Sequence, residues 1–211
     1  MWLLFGTMQN KVPVLAYNGK TPTRSDLRSV IVHIATGSNL GAREAHLAEG
    51  ERLLQRMGNI LRKSPLYLTA AVGMAPGTPD FLNRVVELEL SLPWRDAPLA
   101  VMQALLDIEN ELGRERSDKS EGYVSRTLDL DIVLWGDQIL DLPQLQVPHP
   151  RMLGRRFVMQ PLADLVPHKR IPGTGRTVQA CLDALPDDVP QIAPWPQPTR
   201  SPIATSSSKE A

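Results

Sequence analysis

Apolar and polar residues alternate in two segments of the chain, at 81–92 and 127–136, and apolar residues recur at helical spacing in two others. The alternation predicts strands at 81–92 and 127–136, the β-branched run "VIVHIAT" predicts one at 30–36, and a further strand is expected at 59–70. The helical spacing predicts helices at 41–58 and 97–113, closed by Gly58 and Gly113. Pro65 indicates an edge or a bulge in the second strand. This order predicts an α+β fold with a ferredoxin-like βαββαβ core and an antiparallel sheet.

The core is followed by C-terminal additions, and both ends of the chain lack a regular pattern. The additions are a strand pair or loop at 138–150 and short helices near 155–165 and 177–186. We expect a flexible N-terminal extension at 1–28, one domain at 29–186, and a Pro- and Ser-rich disordered tail at 187–211. Removing residues 1–28 and the chain after about Pro190 is therefore expected to leave activity intact.

Composition narrows the class of protein. The 211 residues are 42% hydrophobic, enough for one domain with a core, and 23 basic residues balance 23 acidic ones. This neutral balance argues against a nucleic-acid or membrane-surface partner. The single cysteine, Cys181, excludes an intramolecular disulfide, and apolar runs stay below the roughly 18 residues of a membrane span. We expect a cytoplasmic monomer.

Two carboxylates interrupt the last predicted core strand, "RTLDLDIVLWG" at 126–136. Asp129 and Asp131 share one face because side chains two apart in a strand do so, and Val133 and Trp135 are expected to continue that face. Carboxylates this close repel each other, and a cation between them removes the cost. Mg²⁺ binds one or two carboxylates together with water and phosphate oxygens, so the pair predicts a metal and phosphate site. A solvated face balanced by nearby basic residues is the alternative.

Basic residues flank this strand on both sides. They are Arg114, Arg116, Lys119 and Arg126 before it, and His149, Arg151, Arg155 and Arg156 after it. Guanidinium groups stay charged and fork onto phosphate oxygens, so their grouping favours a polyphosphate ligand. Each arginine taken alone is better explained as a surface residue than as a ligand, and His149 alone is as consistent with a turn residue as with a ligand. The Walker and protein-kinase motifs are absent.

Four segments together resemble the 6-hydroxymethyl-7,8-dihydropterin pyrophosphokinase family. They are "ATGSNLGAREAHL" (35–47), "LYLTAAVGMAPGTPDFLNRVVEL" (66–88), "RTLDLDIVLWG" (126–136) and "VPHPRMLGRRFVMQPLADLVP" (147–167). The resemblance implies transfer of the terminal diphosphate of ATP to the hydroxymethyl group of the reduced pterin, leaving AMP, in folate biosynthesis. It also implies two Mg²⁺ ions as cofactors.

The resemblance further implies roles for individual residues. Those assigned to the metals and the transferring phosphates are Asp129, Asp131, Arg114 and Arg126. Those assigned to the nucleotide are Glu109, Arg116, His149 and Arg155. Those assigned to the pterin are Thr69, Phe81, Asn83 and Phe157. The residue types suit a flat pterin, because aromatic rings can stack on its faces and an Asn amide offers both a donor and an acceptor to its edge. Without the resemblance, core aromatics would be the favoured interpretation of Phe81 and Phe157.

The segment 116–126 departs from the family pattern. It has "YVSR" at 123–126 where the family commonly has Trp-Gly-Pro-Arg. We expect this loop to close over ATP, with Lys119 reaching the phosphates and the Tyr123 ring covering the nucleotide.

Two alternatives remain open from the sequence. A paralogue could keep the fold while its activity is altered or lost. A non-enzymatic ferredoxin-like module, such as an RNA-binding domain, would instead present aromatics and a basic face, which two aspartates on the strand oppose.

Overall fold

The computed structural model describes residues 29–71, 74–113 and 125–196. Its helices and strands, in chain order, are β1 (Val30–Ser38), α1 (Arg43–Leu54), β2 (Gly58–Lys63), β3 (Tyr67–Thr69), β4 (Phe81–Leu90), α2 (Pro98–Glu111), β5 (Asp129–Trp135), β6 (Leu140–Leu142), β7 (Leu145–Val147), α3 (Arg156–Leu165), α4 (Val178–Leu182) and β8 (Ile192–Pro194). Short 3-10 turns lie at Trp94–Asp96 and Met152–Gly154.

Six strands form one antiparallel sheet in the order β5-β1-β4-β3-β8, with β2 also paired to β4. This confirms the predicted α+β fold and its antiparallel sheet. The second predicted strand is divided into β2 and β3 by Ser64, Pro65 and Leu66. Proline has no amide proton for the ladder, and the Ser64 hydroxyl accepts a hydrogen bond from the Val85 amide at 3.1 Å beside the break.

The sheet separates two apolar clusters. On one face, which we call the helix face, Val32, Ile34 and Leu88 pack with α1 and α2. On the other face, which we call the site face, Val85 and Val133 pack with α3 and α4. Alternation along β1, β4 and β5 therefore turns Gly37, Asn83, Asp129 and Asp131 to the site face.

A bulge corrects the expected facing of β5. The pairing with β1 shifts between His33 and Ile34, so Val133 is the extra residue between the pairs Ile34–Ile132 and His33–Leu134. An extra residue reverses the alternation beyond it. Trp135 is accordingly buried on the helix face and not beside the aspartates, where the regular pattern had placed it.

Gly58 also has a different role from the one that the pattern indicated. Helix α1 ends at Leu54, and Gly58 is the first residue of β2. A Cβ atom at Gly58 would lie 1.9 Å from the Glu89 carbonyl oxygen. The glycine is thus required by the close approach of β2 to β4, and it does not close the helix.

The ordered chain extends further than the predicted boundary at residue 186. Residues 187–196 are described, and β8 pairs with β3 through Tyr67–Pro194, Leu68–Ala193 and Thr69–Ile192. The first ten residues of the predicted tail therefore belong to the domain. Residues 1–28 and 197–211 lie outside the described residues.

Within the described ranges, no helix is both long and apolar enough to cross a membrane.

Candidate active site

The carboxylate pair lies where β5 begins, beside a salt bridge and a histidine. The Arg126 guanidinium donates to Asp129 Oδ1 at 2.6 Å, and His149 Nε2 lies 4.0 Å from Asp131 Oδ2. Burial and the neighbouring Asp129 charge raise the pKa of Asp131, and His149, Arg155 and Arg126 oppose that rise. The pair is thus partly compensated by the basic residues that the sequence placed around it.

His149 is held in one orientation by the backbone. Its amide donates to the Val133 carbonyl at 3.0 Å, and its Nδ1 accepts from the Arg151 amide at 3.1 Å. A neutral ring whose Nδ1 accepts carries its proton on Nε2, the nitrogen that faces Asp131. Burial lowers the pKa of His149, while the Asp131 charge opposes that effect. The ring therefore presents a donor to the carboxylate pair.

Glu109 anchors the strand from its outer side. Its carboxylate is 1% exposed and accepts a hydrogen bond from the Leu130 amide at 2.7 Å. Leu130 lies between the two aspartates, so α2 fixes the backbone from which both carboxylates project. The nucleotide contact expected of Glu109 remains a prediction, and its contact with the backbone of β5 is what the structure describes.

The residues expected to bind pterin meet on β3 and β4. The Asn83 amide donates to the Thr69 hydroxyl at 3.0 Å, and both side chains are buried. Phe81 lies opposite Thr69 in the ladder and, two residues before Asn83, on the same face. Phe157, at the start of α3, is half-buried, with the Arg155 guanidinium 5.5 Å from its ring centroid. Thr69 and Asn83 are in direct contact, and the two Phe rings remain partly accessible.

Gly37 joins the two halves of the site, and sequence reasoning missed it. It pairs with Asn83 on one side and with Asp129 on the other. A Cβ atom at Gly37 would lie 2.7 Å from Asn83 Oδ1 and 3.9 Å from Asp129 Cβ. Glycine therefore leaves open the floor between the amide and the carboxylate. The predicted strand ended at residue 36, and it is the extension of β1 to Ser38 that places this glycine inside a strand, where a glycine often marks a close approach.

Asn39 is a second residue that sequence reasoning missed. It is fully buried, and its Oδ1 accepts from the Arg126 amide at 2.8 Å. Its Nδ2 donates to the Ser125 hydroxyl at 3.1 Å and to the Pro79 carbonyl at 3.2 Å. One amide thus links the segment before β5 with the loop before β4. Arg114, Arg116, Lys119 and Tyr123 lie outside the described residues.

Comparison with known proteins identifies the family. Residues 33–167 match the model of 7,8-dihydro-6-hydroxymethylpterin-pyrophosphokinase, which covers more than half of the chain. The chain is 41% identical over 157 residues to the 2-amino-4-hydroxy-6-hydroxymethyldihydropteridine pyrophosphokinase of Pseudomonas aeruginosa, covering 74% of this chain and 91% of that one. It is 39% identical over 137 residues to the enzyme of the same name from Bacillus subtilis, covering 64% and 77%.

A solved structure agrees on the fold. The chain superposes with a TM-score of 0.58 on a Plasmodium falciparum HPPK-DHPS triple mutant, at 14% identity, covering 74% of this chain and 44% of that longer one. Fold and motifs together define a diphosphate-transferring enzyme of the α+β class. The chain belongs to the 7,8-dihydro-6-hydroxymethylpterin-pyrophosphokinase family. This confirms the enzyme class and the folate-pathway activity that the motifs implied.

Proposed function

We propose that the site face is the active site, where the terminal diphosphate of ATP is transferred to 6-hydroxymethyl-7,8-dihydropterin. The observation that supports this most is the placement of Asn83 and Asp129 on the two sides of Gly37. Adjacent strands lie about 4.8 Å apart, so the acceptor pocket and the carboxylate pair are separated by about 10 Å. A pterin bound at Asn83 and a triphosphate bound at Asp129 would therefore lie on neighbouring parts of one face.

The reaction requires positioning and charge compensation more than covalent chemistry from the protein. The hydroxymethyl oxygen of the pterin bonds to the β-phosphorus of ATP and releases its proton to solvent. The bond from that phosphorus to the oxygen bridging to the α-phosphate breaks, and AMP leaves. Negative charge is spread over the phosphate oxygens throughout, so fixed cations close to them lower the barrier.

Asp129 and Asp131 fit Mg²⁺ by the chemistry of their oxygens. Among the residues that the structure describes, no third His, Cys, Asp or Glu completes a metal cluster with them. Such a donor set suits Mg²⁺, which keeps positions for water and for substrate phosphates. Mg²⁺ held by these two carboxylates would supply positive charge to the phosphate oxygens and would offset the burial and the Asp129 repulsion that raise the pKa of Asp131.

The basic residues of the site compensate the phosphate charge on the sides that the two carboxylates do not face. Arg126, already 2.6 Å from Asp129, lies next to the transferring group and compensates its charge. We assign His149 and Arg155 to the nucleotide, because both lie close enough to oppose the rise in the pKa of Asp131. We assign Arg114 to the transferring group, and Arg116, Lys119 and Tyr123 to ATP, from the sequence resemblance and the loop pattern.

The pterin lies between Phe81 and Phe157 in this proposal. The Thr69–Asn83 hydrogen bond fixes the Asn83 side-chain amide. The remaining N–H and the oxygen of that amide are therefore oriented for hydrogen bonds to the edge of the pterin ring. The protein works as a monomer in the cytoplasm, using ATP and the reduced pterin as its substrates.

Substitution of each aspartate tests the assignment. Asp129→Asn and Asp131→Asn should lower pterin-dependent AMP release at saturating Mg²⁺ by about a hundredfold, equivalent to about 2.7 kcal/mol. Both proteins should stay folded without Mg²⁺, because losing one charge relieves the repulsion between the carboxylates. Asp141→Asn is the matched control: Asp141 lies on β6 and accepts from Gln146 at 3.0 Å, and asparagine keeps an acceptor there.

Near-normal turnover in both site variants would show that the carboxylates do not hold the metals. Wild-type protein that releases no AMP with the reduced pterin would instead indicate the inactive paralogue.

A further inference from the structure

The last described residues hold the shortest central strand of the sheet. Strand β3 has three residues and carries Thr69 at its end. It pairs with β4 on one side and with β8 on the other. Without β8 it would be a three-residue edge strand, and such strands open easily because few hydrogen bonds hold them. The pairing with β8 therefore contributes to the position of Thr69.

Trp195, directly after β8, connects this strand to α1. Its backbone amide donates to the Leu66 carbonyl at 2.8 Å, and its ring Nε1 donates to Glu44 at 2.9 Å. The Arg43 guanidinium lies 5.3 Å from the centroid of the ring, within the range of a cation–π contact. Trp195 thus fixes the end of β8, the residue before β3 and the first turn of α1 relative to one another, through its backbone amide and its ring.

Arg43 in turn holds the loop that leads into β4. Its Nη1 donates to the Asp80 carbonyl at 2.5 Å, and Asp80 directly precedes Phe81. A pocket of about 450 Å³ that opens to solvent lies at this corner, lined by Asn39, Gly41, Arg43, Leu68, Pro79, Asp80 and Trp195. The carbonyls of Pro79 and Asp80 are held by hydrogen bonds from Asn39 and Arg43. The path of the chain into Phe81 therefore depends on polar contacts that Trp195 supports.

We propose that Trp195 is a positioning residue for pterin binding, acting through Arg43 and β8 on Phe81 and Thr69. This inference rests on the proposed pterin pocket. Trp195 packs with the helix-face cluster, whereas the pterin residues lie on the site face, so its ring does not contact the substrate. Its effect should be confined to the pterin, because Asp129, Asp131 and His149 are held by β1, α2 and the backbone of β5.

Two truncations test the role of the segment. A chain ending at Pro196 should keep the wild-type KM for the pterin. A chain ending at Gln191 should show a pterin KM raised by about tenfold while the KM for ATP stays within about twofold, because only the β3 side of the site loses support.

Single substitutions in the full chain keep the test independent of folding. Trp195→Leu should raise the pterin KM and weaken binding of 6-hydroxymethylpterin in calorimetry by about fivefold, since leucine retains apolar contact but loses the N–H and the ring. Trp195→Phe, which keeps a ring beside Arg43, should recover part of the affinity. Arg43→Met should resemble Trp195→Leu. Arg52→Met is the control on the same helix, because Arg52 is exposed and bonds only Glu49 among the contacts described for it.

The outcomes distinguish a failure of the positioning role of Trp195 from a failure of the proposed function. Unchanged pterin binding in Trp195→Leu and Arg43→Met, with an active wild type, would overturn the positioning role. Equal increases in both KM values would overturn it too, because they indicate general loosening. A wild type without pterin-dependent AMP release would instead overturn the proposed function.

Discussion

Gly37 is the residue at which the site is most sensitive to added volume. Gly37→Ala would place Cβ 2.7 Å from Asn83 Oδ1, and the Asn83 amide is already held by Thr69. We expect the pterin KM to rise by about tenfold and the free energy of unfolding to fall by about 1–3 kcal/mol, as in other overpacked sites. Steady-state kinetics and urea denaturation measure the two effects.

Gly154→Ala is the control for this substitution. Nothing lies within 4 Å of a Cβ atom at Gly154, and its φ lies outside the left-handed region. If Gly37→Ala bound the pterin as well as Gly154→Ala does, the floor between Asn83 and Asp129 would not limit the pocket.

His33 makes stability depend on pH. The ring is 2% exposed, and burial lowers its pKa from 6.5 to about 4, with Arg62 and Lys169 adding to the shift and Glu87 opposing it. Between these values the unfolded chain binds a proton that the folded protein does not. The free energy of unfolding therefore falls as pH drops from about 6.5 towards 4, by about 2 kcal/mol at pH 5.

Denaturation of wild type and His33→Gln at pH 8 and pH 5 measures this contribution. The wild type should lose more stability than the variant over that interval, whatever the absolute stability of each. Parallel losses would assign the acid sensitivity to other groups.

At the scale of elements, the anchoring of β5 by α2 can be tested through Glu109. Glu109→Ala removes the acceptor of the Leu130 amide, and a buried amide left without its partner costs about 1–3 kcal/mol. We expect that loss in the free energy of unfolding, faster hydrogen exchange at Leu130, and lower turnover because both aspartates flank this residue.

Glu109→Gln keeps an oxygen for the Leu130 amide and should retain most of the stability. If the glutamine and alanine variants exchanged equally fast at Leu130, the hydrogen bond would not be what holds the strand.

Local patterns predicted the elements whose contacts are regular. A β-branched run indicated β1, alternation indicated β4 and β5, and helical spacing indicated α1 and α2. The same patterns missed β8, because three prolines obscure a strand whose partner, Leu68, is 125 residues away from Ala193 in sequence. They also missed the bulge at Val133, since an extra residue is recognisable only against the register of β1.

The site was predicted unevenly for a similar reason. Chemistry-bearing side chains such as Asp129, Asp131 and Asn83 stand out by type, and the structure places them on one face. Gly37 matters because it has no side chain, and Asn39 matters because its side chain bonds to the backbone of a distant segment. Both roles become visible only in the assembled sheet.

For the whole molecule, the described domain contains both halves of the site within residues 29–196. Removing residues 1–28 should therefore leave kcat and both KM values within about twofold of the full chain. The comparison requires matched preparations with equal thermal midpoints. A folded, truncated protein that turns over slowly would show that the N-terminal segment reaches the site. At the C-terminal end, the truncation expected to leave activity intact changes: the chain must be kept up to Pro196, and not only up to about Pro190.

The same contacts that build the site also limit association of the sheet with further strands. On the outer side of β5, the Leu130 amide is occupied by Glu109 and the Val133 carbonyl by His149. On the opposite side, β2 carries the exposed charges of Arg62 and Lys63, and β8 is three residues long with Pro194 at its end. An edge strand pairs poorly with a strand of a second chain when its backbone groups are already hydrogen-bonded, or when it carries charges or proline. We therefore expect the protein not to form cross-β aggregates at concentrations at which a sheet with unprotected edge strands of equal length would pair with other chains.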